Sequence, residues 1–389
     1  MPLQPSRILE LLNARRDEFS QFNQVAVGQV DQYLSSLKDF VSLSDKERMA
    51  LFRRVGGRVG AFPLEPLQEK DHGIVTSGLQ WQNREDSQAW VRDRLSGVTT
   101  FAVDGSQIYP GKDLSIPIAL VQIGWFENHH RADGGYTKDV RVAVLTPQDL
   151  RTEAGDMADR MVNMHRYQME IERLVEYIEA HPHAENCLLF LDGSLVATFA
   201  LRFDEEAKKV YIQSLLSLLR ASERHRVPLV AYIDTSYADD LTLMLRQLYQ
   251  LPEATVVHDA QLINRLRMQW GDRTPLFRCD RTEILNAYAE QSDRIGFLYL
   301  KTTRDNYPVR LEMPLWLYED ERLEQVLDWV RAEVIVGGGY PYAIETADQT
   351  AVLQAGDRQV FYRLLQEWAD REDLKLRLSR KMVSKMRRR

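Results

Sequence analysis

Two aspartates in this sequence each end an apolar run and are each followed by a glycine and a serine. Residues 101–103 (Phe-Ala-Val) precede Asp104, and residues 188–191 (Leu-Leu-Phe-Leu) precede Asp192. Short unbroken apolar runs of this kind are typical of strands that are buried on both faces. Because glycine allows a sharp backbone turn after each run, we expect both carboxylates to lie at the ends of rigid core strands.

A third apolar run, at residues 229–233, is followed by Asp234. If the three strands are neighbours in one sheet, their carboxylates converge at one edge and repel one another unless a cation or shared protons compensate. Mg²⁺ and Mn²⁺ prefer such oxygen ligands. Asp-Gly is also a common hairpin-turn signal, but two copies that each close an apolar run favour a metal site. Asp234 precedes Thr-Ser, so capping of the next helix is an equal alternative for it.

The composition is that of a soluble globular protein. The 389 residues are 44% hydrophobic and 28% charged, which predicts two or three domains with a sizeable core. No apolar run approaches the roughly 20 residues that a bilayer span needs, and the first residues lack the pattern of a signal peptide, so we expect no membrane association. Two cysteines without partner spacing indicate a reducing cytoplasm and no structural zinc site.

The charge is distributed unevenly along the sequence. The net charge is −7, yet residues 375–389 carry eight basic side chains and no acidic one, which leaves −15 for the rest. Such a basic tail is typical of a segment that meets a polyanion or an acidic partner. A solvated, frayed terminus is an equal alternative.

The order of the predicted elements indicates an α/β fold. Residues 1–95 show helical apolar spacing, interrupted by a predicted loop near 56–72. The elements expected after Thr99 are, in order, a strand ending at Asp104, strands near 116–126 and 139–145, a helix over 147–180, a strand ending at Asp192, a helix over 204–224, a strand ending at Asp234 and a helix over 238–248. Short connections make the first three strands an antiparallel meander, and strand–helix alternation then requires parallel crossovers. This is the order of an RNase H-like fold, a mixed sheet flanked by helices.

The later elements are less regular. We expect strands over 295–303 and 308–318, a helix over 320–334, a hinge or tight turn at the glycines 337–339, and a last helix over 357–370. The predicted organisation is therefore an N-terminal helical region (1–95), an RNase H-like domain (96–370) and a basic tail (371–389).

With Val-Asp-Gly-Ser at 103–106, Leu-Asp-Gly-Ser-Leu at 191–195 and Gly-Tyr-Pro-Tyr at 339–342, the chain resembles the NurA nuclease family. The resemblance covers about 99–370. It implies an RNase H-like homodimer that uses Mn²⁺ and acts on DNA as a 5′→3′ exonuclease and single-strand endonuclease. It also implies a partnership with the hexameric ATPase translocase HerA at DNA ends in double-strand break repair.

The resemblance assigns the acidic residues of the expected metal centre. Asp104 matches the first metal-binding aspartate of the family and Asp192 the second. A glutamate on the intervening helix completes the cluster, and Glu170 is the first choice and Glu172 the second. Tyr340 matches the tyrosine of the last motif.

One position departs from the family pattern. The family usually has Ala-His after the tyrosine motif, whereas this chain has Ala347-Asp348. An aspartate can bind a hard cation, but the general-base role of a neutral imidazole does not transfer to it.

These residues suit phosphodiester hydrolysis, which needs an activated water, charge neutralisation at the phosphate and a stabilised leaving oxygen. Two divalent ions held by carboxylates can supply all three. We hypothesise that Asp104 bridges two Mn²⁺ or Mg²⁺ ions, that Asp192 and Glu170 complete one site, and that Asp348 contributes to the other. Tyr340 is expected to stack on a base or contact a phosphate.

Basic residues on the late strands are candidates for DNA contacts. Lys301 and Arg310 are expected to meet the DNA backbone, whereas Arg304 is treated as ordinary surface charge. Arg310 lies two residues before Glu312, and the two side chains pairing with each other is the alternative.

Two other functions fit parts of the sequence. One is a phosphotransferase of the actin and sugar-kinase type, although the sequence lacks two related halves and a P-loop ending. The other is a non-catalytic adaptor that keeps the nuclease fold and docks to a translocase, which Asp348 supports and the intact pair of Asp104 and Asp192 opposes. ATP hydrolysis by the pure protein would favour the kinase, and failure to bind Mn²⁺ would favour the adaptor.

Overall fold

A computed structural model describes residues 4–67, 72–111, 114–131, 133–150, 158–254, 256–374 and 376. The chain divides into two compact units. Unit 1 comprises residues 1–79, 234–285 and 296–311, and unit 2 comprises residues 80–233, 286–295 and 312–389. The domain boundaries that the sequence suggests near 95 and 370 stay predictions. Apart from residue 376, the basic stretch 375–389 lies outside the described residues.

The described residues form twelve α-helices and nine β-strands. The helices are α1 (Pro5–Ala14), α2 (Arg16–Ser42), α3 (Asp45–Val55), α4 (Arg84–Leu95), α5 (Ala158–Ala180), α6 (Glu205–His225), α7 (Asp240–Tyr249), α8 (Asp259–Ile263), α9 (Trp316–Glu319), α10 (Leu323–Val336), α11 (Tyr342–Ala351) and α12 (Ala355–Arg371). The strands are β1 (Gly60–Pro63), β2 (Thr99–Ile108), β3 (Ala119–Asn128), β4 (Tyr136–Leu145), β5 (Cys187–Asp192), β6 (Leu229–Ile233), β7 (Phe277–Asp280), β8 (Ile295–Leu300) and β9 (Val309–Pro314). None of the described helices is both long and apolar enough to cross a membrane.

Unit 2 contains the mixed sheet that the sequence predicts. Strands β2, β3 and β4 form an antiparallel meander, β5 runs parallel to β2, and β6 runs parallel to β5. The strand order in this unit is β6-β5-β2-β3-β4. Helices flank the strands, so the predicted RNase H-like mixed α/β fold is confirmed.

The core of unit 2 forms where the sequence places its apolar runs. Residues 101–103 of β2 and 187–191 of β5 are buried. Leucine and phenylalanine side chains on these central strands remove large apolar surfaces from water, which is the main driving force for this packing. Helix α6 begins after Asp204, whose side chain accepts a hydrogen bond from the backbone N–H of Ala207 and so caps the helix.

Helices α5 and α11 cover opposite faces of the meander. A Cβ atom on Gly105 of β2 would point at α5, and one on Gly124 of β3 would lie 2.5 Å from the backbone nitrogen of Ala351 in α11. Gly124 is opposite Asp104, and Gly105 is opposite Ile123. Because neighbouring residues of a strand alternate between faces, the two helices approach the sheet from its two sides.

Unit 1 combines the N-terminal helices with the segments around β7 and β8. Strand β1 pairs antiparallel with β7, and β7 pairs antiparallel with β8. Helix α2 buries Tyr33, whose hydroxyl donates to the carbonyl of Pro252 at 2.7 Å. The capping box of Ser44 and Glu47 opens α3 as the sequence predicts.

Four local expectations were wrong. The predicted loop near 56–72 contains β1, because β7 supplies hydrogen-bond partners that the local sequence does not reveal. The backbone does not turn at Gly105, since β2 continues to Ile108. The helix expected over 147–180 begins in the structure at Ala158, with 151–157 outside the described residues. Helix α11, which carries Asp348, was missed altogether.

Candidate metal centre

Asp104 and Asp192 lie side by side on two adjacent parallel strands, because Asp192 ends β5 and Asp104 follows the last residue of β2 that pairs with β5. In the register of β2 and β5, Val103 is opposite Leu191, so each aspartate is the next residue along its strand. After Asp192 the chain turns at Gly193, which has a φ of 135° that favours glycine. The apolar runs therefore fix both backbones, and the aspartate side chains leave the core at the same edge.

Helix α5 brings Glu170 to this edge. Glu170 is buried, and a Cβ atom at Gly105 would overlap its Oε1 atom. Glu172 is exposed, and its charge acts on Arg141. Of the two glutamates that the sequence leaves open, the structure places Glu170 beside Asp104.

Gly105 is required for a reason that the sequence did not reveal. Besides overlapping Glu170 Oε1, a Cβ atom at this position would lie 2.7 Å from Cγ of Arg166. The backbone N–H of Gly105 donates a hydrogen bond to Asp104 Oδ1 at 2.7 Å. The glycine therefore provides space for α5 to approach β2, rather than a turn.

Asp348 lies on α11, which packs on the face of the sheet opposite to α5. It is exposed on α11. The pKa of Asp104 is raised to about 6, mainly by burial and also by the negative charges of Asp192 and Asp348, while the hydrogen bond from the Gly105 N–H and the charge of Arg166 oppose the rise. The influence of Asp348 on Asp104 indicates that the two carboxylates are close enough to interact electrostatically.

Glu170 is perturbed more strongly than Asp104. The pKa of Glu170 is raised to about 8, mainly by burial and also by the carboxylates of Asp104 and Asp192, while the positive charge of Arg166 opposes the rise. Four carboxyl groups from β2, β5, α5 and α11 thus share one electrostatic environment. Placing their charges together is unfavourable without a compensating cation.

The donor chemistry of this cluster fits a hard divalent cation. Its four carboxyl groups offer only oxygen ligands, as Mg²⁺ and Mn²⁺ prefer. Within the described ranges, no three acidic, histidine or cysteine side chains are already arranged closely enough to hold a metal ion. Arg166 lies between two of the groups, donating to Glu170 Oε1 at 2.5 Å and lying 3.9 Å from Asp104 Oδ1.

Tyr340 lies in the turn between α10 and α11 and is half-buried. Its ring packs edge-on against Tyr232, with ring centroids 5.1 Å apart. Tyr232 is opposite Asp192 in the register of β6 and β5. A Cβ atom on Gly337 would overlap the carbonyl oxygen of Tyr340, so the glycine turn allows the tyrosine to take this position.

Lys301 and Arg310 belong to unit 1 and are buried. Lys301 donates to Asn264 Oδ1 at 2.9 Å and to the carbonyl of Asn306 at 2.6 Å. Arg310 forms an ion pair with Asp240 at 2.8 Å, and its guanidinium carbon lies 3.9 Å from the centroid of the Phe297 ring. Neither side chain is presented to solvent in this structure, and their predicted DNA contacts stay untested.

Asp234 also belongs to unit 1. Helix α7 begins at Asp240, so Asp234 does not cap it. It lines an open pocket of about 580 Å³ together with Tyr237, His258 and Tyr307.

Two residues that support the site were not predicted from the sequence to belong to it. Glu312 is buried, and its Oε2 accepts hydrogen bonds from the Ser194 hydroxyl and the Leu195 N–H, both at 2.7 Å. It thereby anchors the loop that follows Asp192. Arg166 contacts Glu170 from one helical turn away, and the spacing of four residues was the available signal.

The sequence profile of the NurA domain matches residues 98–353. The chain belongs to the NurA family of nucleases. A comparison with curated proteins found no match. The NurA match contains all four carboxyl groups of the cluster and Tyr340.

Several solved structures resemble the fold at low identity. A crystal structure of NurA with manganese is 8% identical, with 90% of this chain and 98% of that chain covered and a TM-score of 0.43. A crystal structure of NurA bound to dAMP and manganese is 10% identical, with 66% and 85% covered and a TM-score of 0.34. The catalytic domain of human endonuclease V is 14% identical, with 83% and 99% covered and a TM-score of 0.34.

Proposed function

We propose that this NurA-family protein is a metal-dependent deoxyribonuclease that hydrolyses phosphodiester bonds in DNA. The observation that carries the proposal is the convergence of Asp104, Asp192, Glu170 and Asp348 from four different elements. Such a cluster is electrostatically costly for the folded protein, and a bound cation would remove that cost.

The four carboxylates would hold one or two Mn²⁺ or Mg²⁺ ions. When bound, these cations neutralise charge on the phosphate and lower the pKa of water. Asp104 lies within β2 and Asp192 ends β5, and these strand positions limit their motion and keep the geometry defined. Glu312 holds the Asp192 loop through Ser194 and Leu195, so the position of Asp192 depends on a buried contact as well as on its strand.

Tyr340 is the candidate substrate contact. Its ring is half-buried against Tyr232, the residue opposite Asp192. An aromatic ring in this position suits stacking on a base or a hydrogen bond to a phosphate. Asp348 provides an acidic oxygen where the family usually has histidine, so we assign it to cation binding and not to proton transfer by an imidazole.

The family resemblance supports proposals for the mode of DNA cleavage, the oligomeric state and the partner. We propose 5′→3′ exonuclease and single-strand endonuclease activity at DNA ends, with the protein acting as a cytoplasmic homodimer beside a HerA-type translocase in double-strand break repair. Lys301 and Arg310 would reach DNA only after the contacts that now bury them have rearranged.

End-labelled single- and double-stranded DNA, incubated with Mn²⁺, Mg²⁺ or EDTA, tests the proposal. Wild type should cleave only with a metal, and Asp104→Asn and Asp192→Asn should each lose about 100-fold or more, since the cation contributes several kcal/mol to transition-state stabilisation. Glu172→Gln is the matched control, because it removes an exposed carboxylate from the same helix as Glu170. Full activity in both aspartate variants would rule out this centre.

The adaptor is the second candidate, and Asp348 in the usual histidine position favours it. An adaptor would show no cleavage with any metal, even when a translocase partner is present. Cleavage that depends on Asp104 would exclude it.

A further inference from the structure

We propose that Arg166 occupies the place of the cation in the metal-free protein, yields Glu170 when a divalent ion binds, and then contacts a phosphate of the substrate. This inference rests on the proposed function, because it concerns the same acidic cluster. It assigns Arg166 a positioning role before metal binding and a phosphate-binding role afterwards.

The contacts of Arg166 are concentrated on the cluster. One atom, Nη1, donates to Glu170 Oε1 at 2.5 Å and to the carbonyl oxygen of Gly105 at 3.3 Å, and it lies 3.9 Å from Asp104 Oδ1. A single nitrogen therefore links the helix glutamate, the strand backbone and the first aspartate. A guanidinium in this place compensates negative charge that would otherwise be buried or crowded.

Arg166 and a metal ion would compete for the same ligand. Glu170 Oε1 already accepts the Arg166 hydrogen bond, and a cation on that oxygen would have to displace the guanidinium or share the oxygen with another positive charge. Two positive charges on one carboxylate oxygen repel strongly at this separation. A cation that binds Glu170 Oε1 therefore requires Arg166 to release that oxygen.

The Arg166 side chain has room to move away from Glu170, and it would then have N–H donors available for a substrate. Its side chain is 26% exposed, so one side faces solvent. Among the described residues, the Nε atom of Arg166 is buried and has no hydrogen-bond partner. A released guanidinium beside Asp104 would carry several free N–H donors in a planar fork, which is the geometry that recognises phosphate oxygens.

Arg160 lacks the contacts to the acidic cluster and supplies a matched control, since its Nε atom is likewise buried without a hydrogen-bond partner among the described residues. It lies on the same helix with a similarly exposed side chain, at 24%, and it pairs with Asp204 instead of the cluster. A change at Arg160 alters the charge of α5 equally without touching Asp104 or Glu170.

The test measures Mn²⁺ binding to metal-free protein by titration calorimetry or by the electron paramagnetic resonance signal of free Mn²⁺, without DNA. Arg166→Gln should bind Mn²⁺ about tenfold more tightly than wild type, because a competing charge is removed. Arg166→Lys, which keeps the charge, should stay close to wild type, and so should Arg160→Gln. At saturating Mn²⁺, Arg166→Gln should nevertheless cleave single-stranded DNA at least tenfold more slowly.

The opposite result would identify a structural role. If Arg166 only shapes the site, Arg166→Gln should bind Mn²⁺ more weakly, and this outcome overturns the inference while the metal-dependent function stands. Undiminished cleavage by Arg166→Gln would overturn the phosphate-binding role. If wild type itself binds no Mn²⁺, the proposed function fails together with the inference. Thermal unfolding of each metal-free variant separates misfolding from a true change in affinity, and Arg166→Lys gives a folded comparison if Arg166→Gln is unstable.

Discussion

Gly105 on β2 and Glu170 on α5 are in direct contact, and a Cβ atom at position 105 would overlap Glu170 Oε1. The closeness of helix and strand at this point brings a buried glutamate next to Asp104. The absence of a side chain at position 105 thereby allows Glu170 to join the acidic cluster, although the backbone of Gly105 is ordinary extended strand.

We expect Gly105→Ala to weaken both Mn²⁺ binding and DNA cleavage. The added methyl group must displace Glu170 or Arg166, and overpacking of this kind lowers the free energy of unfolding by about 1–3 kcal/mol. Calorimetric Mn²⁺ titration and urea denaturation measure the two effects.

Gly28→Ala is the control for this change. No atom lies within 4 Å of a Cβ at Gly28, which is in the middle of α2. Alanine should raise the free energy of unfolding there by up to about 1 kcal/mol. Unchanged Mn²⁺ binding in Gly105→Ala would show that α5 can withdraw without disturbing the cluster.

Asp348→Ala should lower the apparent Mn²⁺ affinity by about tenfold, because one negative charge that acts on Asp104 is lost. Its stability should change little, since the side chain is exposed. Glu345→Ala, at another exposed acidic position of α11, should leave Mn²⁺ affinity unchanged. Equal behaviour of the two variants would remove Asp348 from the set of ligands.

Arg310→Met should destabilise the protein more than it affects DNA binding. Arg310 and Asp240 are both almost completely buried, and removal of one partner from such a pair costs about 3–5 kcal/mol. Arg281 still pairs with Asp240 at 2.6 Å, so we expect the lower end of that range. Chemical denaturation measures the change.

The exposed Arg304 provides the comparison for Arg310. Arg304→Met should change the free energy of unfolding by less than about 0.5 kcal/mol. If Arg310→Met were as stable as wild type and bound DNA more weakly, the DNA-contact role predicted from the sequence would be supported instead.

The pair of His130 and Glu333 should make stability depend on pH. Their side chains are 3.1 Å apart, and Glu333 is fully buried. Burial lowers the pKa of His130, but the hydrogen bond and negative charge of Glu333 and the Val98 carbonyl raise it, and the net direction is upward. The folded protein therefore holds this proton at higher pH than the unfolded chain does.

The sign of the pH effect follows from this difference. The stabilisation is fully present below the ordinary histidine pKa of about 6.5 and is lost as the pH rises through the raised pKa of the folded state. Glu333→Gln should remove this decline, whereas Glu324→Gln, at an exposed position of the same helix, should retain it. Chemical denaturation at a series of pH values measures the free energy of unfolding of each variant. An identical decline in Glu333→Gln would refute the role of the pair of His130 and Glu333.

Local sequence was sufficient for much of the fold around the cluster. The apolar runs before Asp104 and Asp192 became buried strands, and the meander, the parallel crossovers and the turn at Gly193 also formed as predicted. These features depend on residues near one another in the chain, through side-chain periodicity and backbone freedom. Element boundaries were less accurate, because β1 depends on pairing with β7, which lies more than 200 residues away.

The amino-acid sequence alone was therefore enough to place Asp104 and Asp192 directly after buried strand segments and to predict an acidic site there. Three features became visible only in the folded arrangement: Glu170 and not Glu172 lies against Gly105, Gly105 makes room for α5, and Arg310 is buried against Asp240. Each of these depends on which helix packs on which strand and at what distance. Side chains remote in sequence meet only once the core has formed, because the packing of distant elements fixes their separation.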